Sequence, residues 1–254
     1  MILEIKDLCV TYNKSTSPND AVRGVSLSLA DNSFSGLIGE SGSGKSTIIM
    51  TLLGLLPGDS AASGEVLYKG REILNLPENE MASLRQREIA LIPQGALSSF
   101  TPVMTIGRHM REVLELHLGL RGGTAERRIT ELLEETELPA AVAARYPHEL
   151  SGGQKQRAAI ALALSCEPKL VLADEPTTAL DVITQAAILK LLERLRREKN
   201  LTILLVTHDL PMAASVCQEL FVMKDGELIE SGTPRQLIDS PRELHTRALI
   251  AAML

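Results

Sequence analysis

The run from Phe34 through Gly39, Gly44, Lys45 and Ser46 constrains this chain more than any other stretch. An aliphatic segment, residues 34–39, passes into a loop of alternating Gly and Ser, and an apolar helical pattern follows. Gly39 to Ser46 fills every fixed position of the spacing G-x-x-x-x-G-K-S/T. It lies between a strand and a helix, the setting in which that spacing has a mechanism. Glycine lets successive backbone N–H groups turn inward to form an anion cradle. Gly39, Ser41, Gly42, Ser43, Gly44 and Thr47 are the candidate phosphate-loop contacts. Lys45 would reach the β- and γ-phosphates, and the Ser46 hydroxyl would ligate Mg²⁺. Such a loop requires an α/β core, because parallel sheets gather ligands at the carboxyl ends of their strands.

The rest of the chain supplies that core. Residues 2–8, 22–29, 34–39, 64–70 and 89–94 read as strands, and one helix over residues 46–56 interrupts them. Turn signals at 17–20 and 57–60 separate the pieces. Between 103 and 165 the periodicity becomes helical, with apolar residues three and four apart over 105–120 and 124–138. Alternation then returns. Residues 169–174 and 201–209 are short aliphatic runs expected as buried parallel strands, with an amphipathic crossover helix over 184–200 between them. Residues 219–234 read as a hairpin turning at Asp225-Gly226, and two short helical stretches end the chain. The expected organisation is a nucleotide-binding core of residues 1–94 and 166–254, with a helical subdomain over 95–165.

Composition narrows the function classes. Aromatics make up 2% of the 254 residues and Trp is absent, so base-stacking platforms are scarce. A net charge of −6 opposes a broad nucleic-acid footprint, and no nucleic-acid partner is expected. Cys9, Cys166 and Cys217 have no metal-ligand spacing and suit a reducing compartment. The N-terminus carries charge within four residues, unlike a secretory signal. No run approaches the roughly 20 apolar residues of a membrane span. The chain reads as a soluble cytoplasmic protein that would serve a membrane only through a partner.

Two further motifs carry chemistry. Residues 170–176 end an apolar run in Asp174 and Glu175. Asp174 suits the shell of Mg²⁺, and Glu175 suits a general base for the attacking water. The second is a Ser-Gly-Gly turn, Ser151-Gly152-Gly153, in front of a helical run that starts with Gln154. Helix N-termini attract anions through converging N–H groups and the helix dipole. The chain thus holds two phosphate cradles.

In order, the chain presents the phosphate loop, Gln94, the segment LSGGQ at 150–154, Asp174-Glu175, the segment TALD at 178–181, and His208. This series resembles the ATP-binding cassette family over nearly the whole length. The resemblance implies an α/β P-loop NTPase core of the RecA-like kind, with an antiparallel β subdomain and a helical insert. It also implies head-to-tail dimers in which ATP, with Mg²⁺, lies between one chain's phosphate loop and the other's LSGGQ. On that basis Ser151, Gly152, Gly153 and Gln154 would contact nucleotide held by a partner chain, and Asp181 would reach across the seam. Gln94 would ligate Mg²⁺ and sense the γ-phosphate. His208 would hold the γ-phosphate and water beside Glu175, and Tyr12 would stack on adenine. His109, His117, His148 and His245 read as ordinary surface or helix residues.

Within that family the wording of the motifs resembles the importer branch for oligopeptides, dipeptides and nickel. The segment 98–106 resembles that branch's permease-facing groove. The implied partners are a second cassette ATPase, distinct or identical, and two membrane permeases, with an extracytoplasmic solute-binding protein acting indirectly. The implied location is the cytoplasmic face of the plasma (inner) membrane, and the implied cargo is peptides or nickel and metal chelates. The short end of the chain resembles nickel-importer ATPases and implies no iron–sulfur cluster, and Asp31-Asn32 replaces the branch's common Gly-Glu. The alternative is a cassette subunit of a soluble phosphonate carbon–phosphorus lyase complex. Translation-associated cassette proteins carry two cassettes, and chromosome-associated ones carry a long coiled coil before LSGGQ; neither feature is present here.

Overall fold

The alternation near the start of the chain becomes an antiparallel sheet. The computed structural model describes residues 1–13, 15–95 and 100–251. In it β1 (Leu3–Tyr12) pairs with β2 (Asn19–Leu29) and β4 (Ser60–Tyr68), and β4 pairs with β5 (Arg71–Glu72). The β1–β2 register runs from Leu3 opposite Leu29 to Tyr12 opposite Asn19. These strands are longer than the alternation alone indicated. Asn19, Asp20 and Ser60, which read as turn residues, are drawn into pairing with the end of β1. Asp7, at φ 48, lies in an irregularity of the β1 pairings, and Gly64 faces it. A Cβ on Gly64 would lie 2.6 Å from the Asp7 carbonyl oxygen, so only glycine fits that approach.

The chain divides into two units, Met1–Ser83 with Thr202–Leu254, and Leu84–Leu201. The first unit also holds a parallel arrangement. β3 (Phe34–Ile38) lies between β8 (Thr202–Thr207) and β9 (Glu219–Lys224), parallel to both. Every residue of β3 and β8 is buried, which explains their near-continuous aliphatic runs. Each buried Leu, Ile or Phe there contributes about 1.5–3 kcal/mol relative to exposure. β9 returns as β10 (Glu227–Gly232) through Asp225 at φ 48 and Gly226 at φ 85. That pair of left-handed residues matches the twist of a two-residue hairpin. Helix α1 (Lys45–Leu52) follows β3, and the unit also holds α7 (Leu210–Ala214), α8 (Pro234–Asp239) and α9 (Leu244–Ala251).

In the second unit β6 (Ile89–Ile92) runs parallel to β7 (Leu170–Asp174), Ile89 opposite Leu170. The connection between them carries α3 (Ile106–Leu118), α4 (Gly122–Glu135) and α5 (Gly152–Ala163), the helices expected of the insert. Helix α3 starts at Thr105, whose side chain accepts from Arg108 N, and stops at left-handed Gly119. Close to Gly107 the chain is so tight that a Cβ would lie 2.8 Å from the Ala143 oxygen. Gln86 caps the far end of α5, its Nε2 donating to Leu162 O at 2.7 Å and Ala163 O at 3.1 Å. Ion pairs hold the helices' polar ends, with Arg157 on Glu137 and Lys199 on Glu135. Helix α6 (Val182–Lys199) begins at Asp181 and ends at left-handed Asn200.

The pattern missed two helices, α7 and, within the stretch read as strands, α2 (Glu78–Leu84). Helix α2 is only seven residues long, but it buries Met81 and Leu84. Two apolar anchors are too few to establish a helical period in sequence. The helix expected over 46–56 stops at Leu52, because the chain turns left-handed at Gly54.

Candidate functional site

In the first unit the phosphate loop leaves β3 after Ile38, and α1 begins at Lys45. Gly44 precedes the helix at φ 101, and no side chain caps it. A helix that starts this way presents its first N–H groups to an anion. Lys45 is buried at 6% exposure. Its Nζ donates to the carbonyls of Gly39 and Glu40, both at 2.7 Å, and to Ser43 Oγ at 3.2 Å. A buried ammonium needs such acceptors, and these curl the loop around the lysine. Gly42, at φ 83, has open space where a Cβ would be. Gly39 and Gly44 are crowded instead. A Cβ at Gly39 would lie 2.4 Å from Met223 O, and one at Gly44 would lie 2.4 Å from Ala21 O.

The hairpin turn buttresses this loop. Gly226 N donates to Ser43 O at 3.2 Å, while Arg23 N donates to Gly226 O at 2.8 Å. Ser41 and Ser46 are exposed, and Ser43 and Thr47 are buried. Tyr12, the last residue of β1, donates through its hydroxyl to Thr47 Oγ1 at 3.2 Å. His208 is exposed and directly follows β8. Since β3 and β8 are parallel, the phosphate loop and His208 both leave from the carboxyl ends of their strands. His245 lies with Nδ1 4.0 Å from Glu40 Oε1, inside the phosphate-loop segment.

In the second unit the parallel pair β6–β7 brings Gln94 and Glu175 together. Gln94 Nε2 donates to Glu175 Oε2 at 2.9 Å. That direction turns the amide's carbonyl oxygen away from the carboxylate, the atom a hard cation would take. Thr178 Oγ1 also donates to Glu175 Oε2, at 3.0 Å. Glu175 itself is left-handed at φ 43, and Ala179 is left-handed at φ 65. Non-glycine residues in that region concentrate where function requires a fixed but strained backbone. Asp174 ends β7 and is partly exposed.

The Ser-Gly-Gly turn is the start of α5. Ser151 Oγ accepts from Gln154 N at 3.3 Å, and Gln154 Oε1 accepts from Ser151 N at 3.0 Å. This is a reciprocal capping box. Gly152 and Gly153 lie within the helix, against the segment that follows Glu175. A Cβ at Gly153 would lie 2.8 Å from Thr184 Cγ2, and one at Gly152 would lie 3.1 Å from Leu180 Cδ2. Asp181 caps α6, with Oδ1 accepting from Thr184 N at 3.0 Å and Oδ2 from Thr184 Oγ1 at 2.6 Å. The Thr184 hydroxyl and amide hold the Asp181 carboxyl below the usual carboxylate range.

Sequence reasoning missed Thr178 as a partner of Glu175. The available signal was a hydroxyl three residues beyond the carboxylate. His109, read as an ordinary helix residue, lies on α3. His109 Nε2 accepts from Thr101 N at 2.9 Å, and its ring meets Phe100 edge-on. Of the segment 98–106, expected to face a permease, Ser98 and Ser99 lie outside the described residues. Val103 is 76% exposed.

Comparison with known proteins gives a consistent result. A family model described as "ABC transporter" matches residues 22–178. The oligopeptide transport ATP-binding protein OppD of Escherichia coli K12 is 41% identical over 254 residues, covering 99% of this chain and 75% of that one. The peptidoglycan transport ATP-binding protein YejF of Agrobacterium fabrum is also 41% identical, over 99% of this chain and 47% of its own length. Among solved structures, a dimeric post-hydrolysis state of the cassette MJ0796 bound to ADP and Pi superposes with a TM-score of 0.80. Its identity is 31%, over 92% of this chain and 99% of that one. The cbiO1 protein of Clostridium perfringens, part of the complex cbiONQ, gives a TM-score of 0.82 at 26% identity, over 100% of this chain and 99% of that one.

Proposed function

The chain belongs to the ABC transporter family of ATPases, and from that premise we propose that it is the ATP-hydrolysing subunit of a peptide importer. The observation that carries the importer assignment is the 41% identity to an oligopeptide transport ATPase over 99% of the chain. The soluble lyase-complex alternative is not favoured, since the relatives are named for peptide or peptidoglycan transport. The same names favour peptides over nickel as cargo.

The chemistry follows from the chain's own residues. The loop from Gly39 to Thr47 binds the phosphates of ATP, with Lys45 turning from its loop carbonyls toward the β- and γ-phosphates. The donor set Ser46, Gln94 and Asp174 is hydroxyl, amide and carboxylate oxygen, which fits Mg²⁺. When bound, Mg²⁺ neutralises charge developing on the phosphate oxygens. Glu175 takes the proton of the attacking water, and Gln94 and Thr178 hold one oxygen of its carboxylate. His208 orients the γ-phosphate and the water, and Tyr12 stacks on adenine.

Ser151, Gly152, Gly153 and Gln154, with Asp181, act on nucleotide bound by a second cassette subunit. The second cradle is therefore half of a site shared between chains. Residues 95–165 form the helical subdomain that carries it. The second subunit, two membrane permeases and, indirectly, a solute-binding protein complete the assembly at the cytoplasmic face of the membrane. Among the described residues no helix is long and apolar enough to cross a membrane.

The test is Glu175→Gln in the assembled complex. It binds ATP and dimerises, but hydrolysis falls by a factor on the order of 10²–10⁴. Near-wild-type turnover would reject Glu175 as the base. For cargo, a deletion strain should lose uptake of labelled peptides and keep nickel uptake; the reverse result assigns nickel.

A further inference from the structure

Gln156 lies on the first turns of α5, five residues beyond Ser151, with 3% of its surface exposed. Among the described residues its amide nitrogen has no hydrogen-bond partner. A buried donor left unmade loses its hydration without return, and native proteins keep few of these. The side chain lines a cavity of about 100 Å³ together with Gly95, Gly152, Lys155, Thr178, Ala179 and Leu180. Three of those residues are consecutive in the turn that follows Glu175.

That turn holds a strained backbone. It contains left-handed Ala179 at φ 65 and starts from left-handed Glu175 at φ 43. Backbone in such conformations persists only where its surroundings hold it. Thr178, in the same turn, donates to Glu175 Oε2 at 3.0 Å. A displacement of the turn into the cavity would bring a main-chain carbonyl to the waiting amide, with the Thr178 hydroxyl carried along. The cavity supplies the room, and the unmade hydrogen bond supplies the driving force.

We propose that Gln156 is a positioning residue for ATP hydrolysis. In the nucleotide-loaded assembly its amide donates to a main-chain carbonyl of residues 178–180, which fixes the turn that holds Thr178 against Glu175. Gln156 touches neither nucleotide nor water. It acts through the turn, and so links the helix of the Ser-Gly-Gly segment to the orientation of the general base. The inference rests on the ATPase reading above.

Gln156→Met tests it, because Met keeps length and bulk and removes the donor. In the assembled complex kcat should fall about tenfold with KM for ATP unchanged. The thermal midpoint should hold or rise, since an unmet buried donor is removed. Thr178→Val should lower kcat as well, and the double variant should be no worse than the poorer single one. An unchanged kcat in Gln156→Met would overturn the proposal and leave the amide as the site of a buried water. A lower midpoint with a parallel loss of activity would overturn it in favour of simple packing. If wild type itself fails to hydrolyse ATP, the ATPase reading falls and this proposal falls with it. Full wild-type turnover beside an unaffected variant rejects the proposal alone.

Discussion

At α1 the residue before the helix is Gly44, left-handed at φ 101 and without a side-chain cap. At α5 it is Ser151, extended at φ −65, with its hydroxyl accepting from Gln154 N. Both segments read as phosphate cradles in sequence, and both rely on glycine. In the phosphate loop the glycines supply backbone conformations that other residues resist, and a buried lysine organises the curl. In the Ser-Gly-Gly turn Gly152 and Gly153 are ordinary helical residues whose missing side chains admit Leu180 and Thr184. The first cradle stores its own cation and leaves the helix start to a ligand. The second has already satisfied its helix start with its own side chains. An anion arriving there must compete with the capping box, which suits a contact made only when a second chain delivers it.

Breaking the two cradles should therefore give opposite phenotypes. Lys45→Ala should abolish ATP binding by the isolated chain, a loss of 100-fold or more, since a buried charge-assisted contact is worth about 1.5–3 kcal/mol and the loop's own curl is lost with it. Gly153→Asp or Ser151→Arg should leave that binding within about twofold, while ATPase activity of the assembly falls at least 100-fold. Equilibrium binding of a fluorescent ATP analogue, read beside phosphate release, separates the two. Loss of monomer binding in Gly153→Asp would end the distinction.

A second comparison concerns the glycines themselves. Gly44→Ala meets both an unfavourable φ and the Ala21 carbonyl, at a cost of about 3 kcal/mol or more, and no neighbouring side chain can be trimmed to relieve it. Gly153→Ala meets only a methyl of Thr184. It should cost about 1 kcal/mol or less, offset by alanine's better helix propensity. Thr184→Ser, which removes that methyl and keeps the hydroxyl on Asp181, should turn the substitution stabilising. Chemical denaturation of the four variants checks both statements.

Smaller effects follow from the caps. Ser151→Ala should destabilise α5 by about 1 kcal/mol, whereas Ser41→Ala should leave α1 unaffected. Asp181 carries the corresponding pH dependence. Its folded pKa is below the ordinary carboxylate value, so its stabilising contribution is present above that value and fades as pH falls through the lowered one. Asp181→Asn should therefore flatten the acid limb of the stability profile slightly. Glu193, held low first by its hydrogen bond to Arg196, acts in the same direction.

The comparison also explains what could be read from sequence. The phosphate loop, the Asp174-Glu175 pair and the hairpin at Asp225-Gly226 were legible because their chemistry depends on neighbours in the chain. The same holds for most strands and long helices, whose periodicity is local. Helix α2 was not legible, since its two buried anchors make too short a period. The strand extensions at Asn19 and Ser60 come from pairing with β1, and residues with turn propensity follow their partner strand. The contact of Gly153 with Thr184 and the hydrogen bond of Gln94 with Glu175 join positions far apart or on different elements. No single-sequence pattern encodes those, and they are the contacts that distinguish the two cradles.

The hairpin at Asp225-Gly226 has a consequence for how this chain can vary and be engineered. Exposed hairpin tips are ordinarily where tags, inserted domains and new chain termini are accepted. Here the tip's last residue gives its amide to Ser43 and its carbonyl to Arg23, two positions far back in the chain. A peptide inserted between 225 and 226 would therefore pull on the loop beside Lys45. Insertional libraries should find this tip closed, and the surface around Gly58 or Gly123, where an added Cβ meets nothing within 4 Å, should tolerate passengers instead.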